Sequence, residues 1–234
     1  MTRPVQPDHP PKNRHWRRPG DANVDSCVDA VVFDLGGVLL DWNPRYLYEQ
    51  LLPDQSAVDE FLTHVCPLSW NAAQDAGGDW DSAIAERTQR FPQHAALIRA
   101  YRDRWLDMVG QVHHDTAALI GEVRARGIQT YVLSNISSYS WQIALGAFDF
   151  LGSVDGAVVS GHEGMVKPQA AIYDLLVRRY QLDPGRTYFI DDVPANVQAA
   201  RRAGWRADVH VDAMTTRHRL VDLGVLPRGG ACLD

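Results

Sequence analysis

Five short apolar runs, each with β-branched or aromatic residues, recur along the chain and decide what it can fold into. They are AVVFDL at 30–35, TYVLSN at 130–135, GAVVSG at 156–161, TYFIDD at 187–192 and ADVHVD at 207–212. Helical patterns separate the later ones. TAALIGEVRARG carries Leu119, Ile120 and Val123 on one face and stops at Gly127. QAAIYDLLVRRY carries Ile172, Leu175 and Leu176, with Arg178 and Arg179 opposite, and VPANVQAARRAG stops at Gly204. Strands alternating with helices imply βαβ units. The expected fold is α/β: a Rossmann-like parallel sheet with helices on both faces.

In such sheets ligands bind at the carboxyl ends of the strands, so the residues there are informative. They are Asp34, Ser134 with Asn135, and Asp191 with Asp192, while Lys167 stands in the turn MVKPQ just before a helix. A single strand-terminal Asp is commonly a cap or turn former. Acid, hydroxyl, ammonium and acid converging on one rim are not explained by capping alone. VVFDLGGVLLDW at 31–42 sharpens the point, because a buried-strand pattern ends in a carboxylate and two glycines follow. A backbone without side chains lets a partner come close, which suits a working carboxylate at Asp34.

Residues 44–114 break the rhythm. YLYEQLL, AVDEFLTHV, DSAIAERTQRF and ALIRAYRDRWLDMV read as helices, and no strand is expected among them. The reading is a helical cap at 44–114, inserted into an α/β core of 29–43 and 115–213 and lying over its polar rim. Residues 1–28 are rich in proline and charge and read as a disordered tail without the apolar centre of a signal peptide. Residues 214–234 read as a last helix, TTRHRLVDLGVL, and a frayed tail.

With 234 residues the chain can bury a sizeable core. A net charge of −6 gives no nucleic-acid footprint, and no apolar stretch is long enough to span a bilayer. Cys27, Cys66 and Cys232 are odd in number and far apart. They make neither a disulfide framework nor a metal-ligand spacing, which fits a reducing cytoplasm. Oligomeric state stays open at this level.

The ordered set FDLGGVL, LSN, KP and DD, with Asn196 four residues beyond Asp192, resembles the haloacid dehalogenase-like (HAD) hydrolase superfamily over residues 29 to 212. The pattern is similar to its phosphatases with a small helical cap of the C1 type. FDLGGVLLDWNP and VLSNISS look like the branch that includes phosphatases of glucose 1-phosphate. The resemblance implies Mg²⁺, a small phosphorylated metabolite as partner, and a phosphomonoesterase reaction through an aspartyl-phosphate on Asp34. Repulsion between a carboxylate and a phosphate dianion must be cancelled for that attack, and a hard cation with oxygen ligands supplies the cancellation. On the same resemblance Asp34 and Asp192 bind the metal through side chains and Gly36 through its carbonyl. Asp191 and Asn196 hold water ligands or orient Asp192. Ser134, Asn135, Gly37 and Lys167 contact the substrate, Lys167 as a point charge beside Asp34.

One departure matters. The family's common first motif has a second Asp two residues after the nucleophile, acting as general acid and then base, and here that position is Gly36. Three readings follow. The leaving group needs little protonation, as with an anomeric sugar phosphate; or another group supplies the proton, Asp41 first, with His64 or Asp75 of the cap behind it; or the enzyme is slow. In the cap, PLSWNAAQDAGGDW offers Trp70 and Asn71 as candidate contacts for a polyol, against a packing role for the tryptophan. Trp105 and Met108 read as cap packing, and His113 and His114 as a solvent-facing helix start. Two other function classes stay in view: a metal-free 2-haloacid dehalogenase, disfavoured by the adjacent acids Asp191 and Asp192, and a catalytically silent binding protein of the same fold.

Overall fold

The computed structural model describes residues 27–228. The tail expected over the first residues, Cys232 and the end of the chain lie outside them, except for Cys27 and Val28. The core is a five-stranded sheet of β1 (Ala30–Phe33), β4 (Gln129–Ser134), β5 (Gly156–Val159), β6 (Thr187–Asp191) and β7 (Arg206–Val209). Their order is β5-β4-β1-β6-β7, and every pairing is parallel. After β1 the chain fills one side of the sheet and then crosses to the other. The carboxyl end of β1 is therefore a switch point, where crossovers leave in opposite directions and open a crevice.

Side chains alternate between the faces of the sheet. Val31, Phe33, Val132, Tyr188 and Ile190 pack with α6 (His114–Ala125), α7 (Ser138–Ala147) and α11 (Ala213–Asp222). Beyond the short helix α8 (Ser160–Glu163), Ala30, Val32, Tyr131, Leu133 and Phe189 pack with α9 (Ala170–Tyr180) and α10 (Pro194–Arg202). Both faces are covered, so the strands read as continuous apolar runs rather than alternating ones. Burying one such Phe or Leu fully stabilises the fold by about 1.5–3 kcal/mol.

Between β1 and α6 lie α1 (Arg45–Leu51), α2 (Gln55–Glu60), α3 (Leu68–Asp75), α4 (Trp80–Arg90) and α5 (Ala95–Asp103). They enclose their own apolar cluster, with Leu47, Tyr48, Phe61, Trp70, Trp80, Ile98 and Tyr101 buried. Tyr48 and Phe61 have ring centroids 4.5 Å apart. This segment departs from the all-helical expectation at its end: Val109–Val112 is a strand, β3, antiparallel to β2 (Leu40–Trp42). VGQV is too short for its alternation to show, and it contains a glycine. The β2–β3 ribbon carries the chain out of the core and back.

Candidate active site

Four polar strand ends and turns meet above the carboxyl edge of β1. The register explains why: Phe33 pairs with Val132 on one side and Ile190 on the other. The next residues on β1 and β6, Asp34 and Asp191, and Ser134 one position farther along β4, therefore emerge at the same edge. The Asp34 N–H donates to the Ile190 carbonyl at 2.9 Å, and its carboxylate Oδ1 accepts from the Leu35 N–H at 2.7 Å.

Lys167 is the hub. Its Nζ lies 2.7 Å from Asp34 Oδ1 and 2.6 Å from Asp191 Oδ2, with the Phe189 ring 5.5 Å away. The Asn135 amide fixes it from behind, donating to the Lys167 carbonyl at 3.0 Å and accepting from the Lys167 N–H at 2.8 Å. The peptide bond from Lys167 to Pro168 is cis. Asp191 also accepts from the Val193 N–H at 2.8 Å and from the Asn196 amide at 3.0 and 3.1 Å. Its oxygens are thus committed to Lys167 and to the start of α10.

Burial pushes the Asp34 carboxyl well above the usual carboxylate range; Lys167 draws it back, and the Asp191 charge raises it again. For Lys167 burial favours the neutral amine, but Asp34 and Asp191 outweigh it and hold the ammonium above its ordinary value. Partial desolvation, then the Asp191 charge, raises Asp192. Asp192 has no ion-pair partner among the described residues.

Three carboxylates and one ammonium leave an excess of two negative charges. One oxygen from each of Asp34, Asp191 and Asp192 falls within a 4.8 Å group. That donor set fits a hard divalent cation: all oxygen, with the surplus charge a dication cancels. Gly37 makes the arrangement possible. Its φ is +73°, and a Cβ there would overlap the Asp192 carboxylate. Gly37→Ala is expected to lower thermal stability by about 1–3 kcal/mol and to weaken divalent-cation binding by displacing Asp192. Melting curves with and without Mg²⁺ check both, and a cation-induced stabilisation equal to wild type would separate Gly37 from the metal site.

Above this rim lies a cavity of about 70 Å³. Gly36, Ser134 and Asn135 form its floor, Trp42 and Trp105 its walls, and Asn71 and Asp75 of α3 its roof. The buried Trp42 indole N–H has no partner among the described residues. The α3–α4 segment is tied to the floor: the Trp80 indole donates to Ser137 Oγ at 3.0 Å, and Ser160 Oγ donates to the Asp75 carbonyl. Ser137 also caps α7, accepting from the Ser140 N–H at 3.1 Å.

The structure thus brings Asp34, Gly36, Gly37, Ser134, Asn135, Lys167, Asp191 and Asp192 together. Three candidates from the sequence, Asp41, Trp70 and His64, lie off the cavity. Asp41 does not line the cavity; its neighbours Leu40 and Trp42 do, while its Oδ2 accepts from the Tyr46 hydroxyl at 2.7 Å. Trp70 is core rather than contact surface, lying edge-on to Trp80 at 5.3 Å and to Tyr101 at 5.4 Å. Asn135 lines the cavity while its amide holds the Lys167 backbone. His64 is exposed and outside the cavity lining. Trp105, expected to pack the cap, also lines the cavity; a tryptophan's periodicity does not reveal that one edge is left facing a void.

Comparison with known proteins follows the same lines. A family profile described as haloacid dehalogenase-like hydrolase matches residues 28–204. The sesquiterpene phosphatase astK of Aspergillus oryzae is 24% identical over 187 residues, covering 75% of this chain and 86% of that protein. A HAD family enzyme of Bacteroides thetaiotaomicron, solved with magnesium and inorganic phosphate, superposes with a TM-score of 0.62 at 18% identity, over 79% of this chain and 95% of that one. The L-2-haloacid dehalogenase of Xanthobacter autotrophicus, solved with chloropropionic acid covalently bound, gives 0.57 at 17% identity, over 86% and 85%.

Proposed function

Because this chain belongs to the haloacid dehalogenase-like hydrolase family, and is thereby a hydrolase, we propose that it is a Mg²⁺-dependent phosphatase acting on a small phosphomonoester. One observation carries the reading: Lys167 is already held between Asp34 and Asp191, so the remaining negative charge, with Asp192 unpaired among the described residues, calls for a dication. A metal-free dehalogenase has no use for that second acid. The Mg²⁺ and phosphate held by the Bacteroides enzyme and the activity named for the Aspergillus relative support the same reading.

Asp34, Asp192 and the Gly36 carbonyl would hold Mg²⁺, which supplies charge neutralisation for attack on a phosphate dianion. Asp34 is the nucleophile: an Oδ forms a bond to phosphorus as the ester oxygen leaves. Lys167 keeps that carboxylate ionised and oriented, and Ser134 donates its hydroxyl to a phosphoryl oxygen. Asn135 and Asp191 position Lys167. The helical segment 44–114 acts as a cap that excludes water from the reacting centre.

A half-open cavity of about 70 Å³ holds the phosphoester end of a ligand. Asn71 and Asp75 in the roof suit the hydroxyls of a sugar phosphate, while Leu40, Trp42, Trp105 and Ile136 offer apolar walls that an isoprenyl chain would use.

The test is phosphate release with and without Mg²⁺ from hexose 1- and 6-phosphates and a C15 isoprenyl phosphate, alongside halide release from 2-haloacids without metal. Metal-dependent phosphate release, fastest with a hexose phosphate, is expected. Halide release without metal would replace the phosphatase by a dehalogenase. Silence in both assays would leave a binding protein.

A further inference from the structure

The proposed reaction lacks a proton donor at the position where the family's first motif usually supplies one. Gly36 occupies it, and of the three candidates to replace it, Asp41 and His64 lie off the cavity while Asp75 lines it. A Cβ built on Gly36 meets nothing within 4 Å, so the floor leaves room there for a group delivered from above. The roof delivers one.

On the phosphatase reading given above, we propose that Asp75, presented by the cap helix α3 to the cavity opposite Gly36 and Ser134, is the general acid and then the general base of the reaction. Asp75 lines the same cavity as the first-motif loop and the end of β4. Its carboxylate is held in place rather than free. Asn71, one helical turn earlier, donates to its Oδ2 at 2.7 Å, and the Ser137 N–H donates to it from the α7 cap. Ser160 holds the backbone at the same point. Both donors to the carboxylate are neutral, and among the described residues neither Lys nor Arg is paired with it. Burial therefore prevails over these hydrogen bonds and pushes the carboxyl up to about 7. Tyr101 behind it is held far above neutrality by its own burial. A carboxyl near neutrality can both give and take a proton under working conditions.

The step balances. As Asp34 attacks, the bond from phosphorus to the ester oxygen breaks, its electron pair stays on that oxygen, and the oxygen takes the Asp75 proton to leave as an alcohol. Water then adds to phosphorus while Asp75 takes one of its protons. The bond to Asp34 breaks, releasing inorganic phosphate and restoring both carboxyl groups.

The test compares Asp75→Asn with wild type as full-length proteins in Mg²⁺, using an alkyl phosphate such as a hexose phosphate and an aryl phosphate such as p-nitrophenyl phosphate. Nitrophenolate leaves without a proton, so the variant should still give a rapid burst of one nitrophenolate per enzyme, followed by slow turnover. With the alkyl ester its rate should fall by roughly 10²–10⁴-fold. Turnover of the alkyl ester within threefold of wild type would overturn the assignment. So would loss of the burst together with turnover, because that marks a structural rather than proton-transfer role. A wild-type protein that releases no phosphate from either ester would instead remove the phosphatase reading itself.

Discussion

Asp34→Asn should abolish phosphate release, by roughly 10⁴–10⁶-fold, the scale seen when a catalytic nucleophile is removed, and should do so without unfolding the protein. Asparagine fills the same volume and still accepts from the Leu35 N–H. The amide cannot form the acyl-phosphate. Stability moves the other way. Burial raises the Asp34 carboxyl above its unfolded value, so the folded state binds a proton more readily than the unfolded one. By linkage, stability then falls as pH rises from the ordinary carboxylate range through that raised value. At neutral pH the wild type carries the cost of an ionised buried acid, and the variant does not. Without divalent cation its melting temperature at about pH 7.5 should equal or exceed that of wild type. A variant that melts well below wild type, or that retains turnover, would contradict the role assigned to Asp34. This is the trade between activity and stability expected of a site built from close like charges.

Lys167→Met carries the largest expected loss of stability. The ammonium is nearly inaccessible and touches two acids, with side-chain exposures of 1% for Lys167, 9% for Asp34 and 0% for Asp191. Methionine keeps the stem's volume and removes the charge. Asp34 and Asp191 are then left buried and facing each other, which costs about 3–5 kcal/mol. The sign with pH follows. Asp34 loses the ammonium that draws its raised carboxyl back down, so it takes up a proton more readily and the penalty shrinks on acidification. Urea unfolding at about pH 5 and about pH 7.5 should show a smaller gap between variant and wild type at the lower pH. A gap independent of pH would assign the loss to packing. Activity should fall as well, because Asp34 would no longer be held ionised.

Much of this site is legible in the sequence because each polar residue terminates an apolar run. Asp34, Ser134 and Asp191 each end or follow a buried strand, and a parallel sheet carries such ends to one edge. What the sequence does not specify is which acid pairs with Lys167. Asp191 and Asp192 are adjacent and chemically identical, and only the alternation at the end of β6 sends one to the lysine and leaves the other exposed. Asp41 misleads because it lies close to Asp34 along the chain, whereas the β2–β3 ribbon turns its carboxylate to Tyr46. Trp70 misleads because an aromatic among polar residues resembles a binding face. The helix period does hold the answer. Trp70 and Gln74 are four apart and buried, while Asn71 and Asp75, also four apart, form the neighbouring stripe. The β3 strand escapes notice because its pairing is tertiary, with a partner some seventy residues earlier.

Ser137 joins three jobs in one turn: it caps α7, accepts from Trp80, and donates its N–H to Asp75. These contacts make the acidity of the roof depend on its closure. Lifting α3 and α4 from the core breaks the hold of Ser137 and Ser160 and rehydrates Asp75, which returns it to an ordinary, ionised carboxylate. On the proposed function, an open molecule would admit a phosphoester with no proton to give it, and docking of the roof would serve as an interlock that arms the acid.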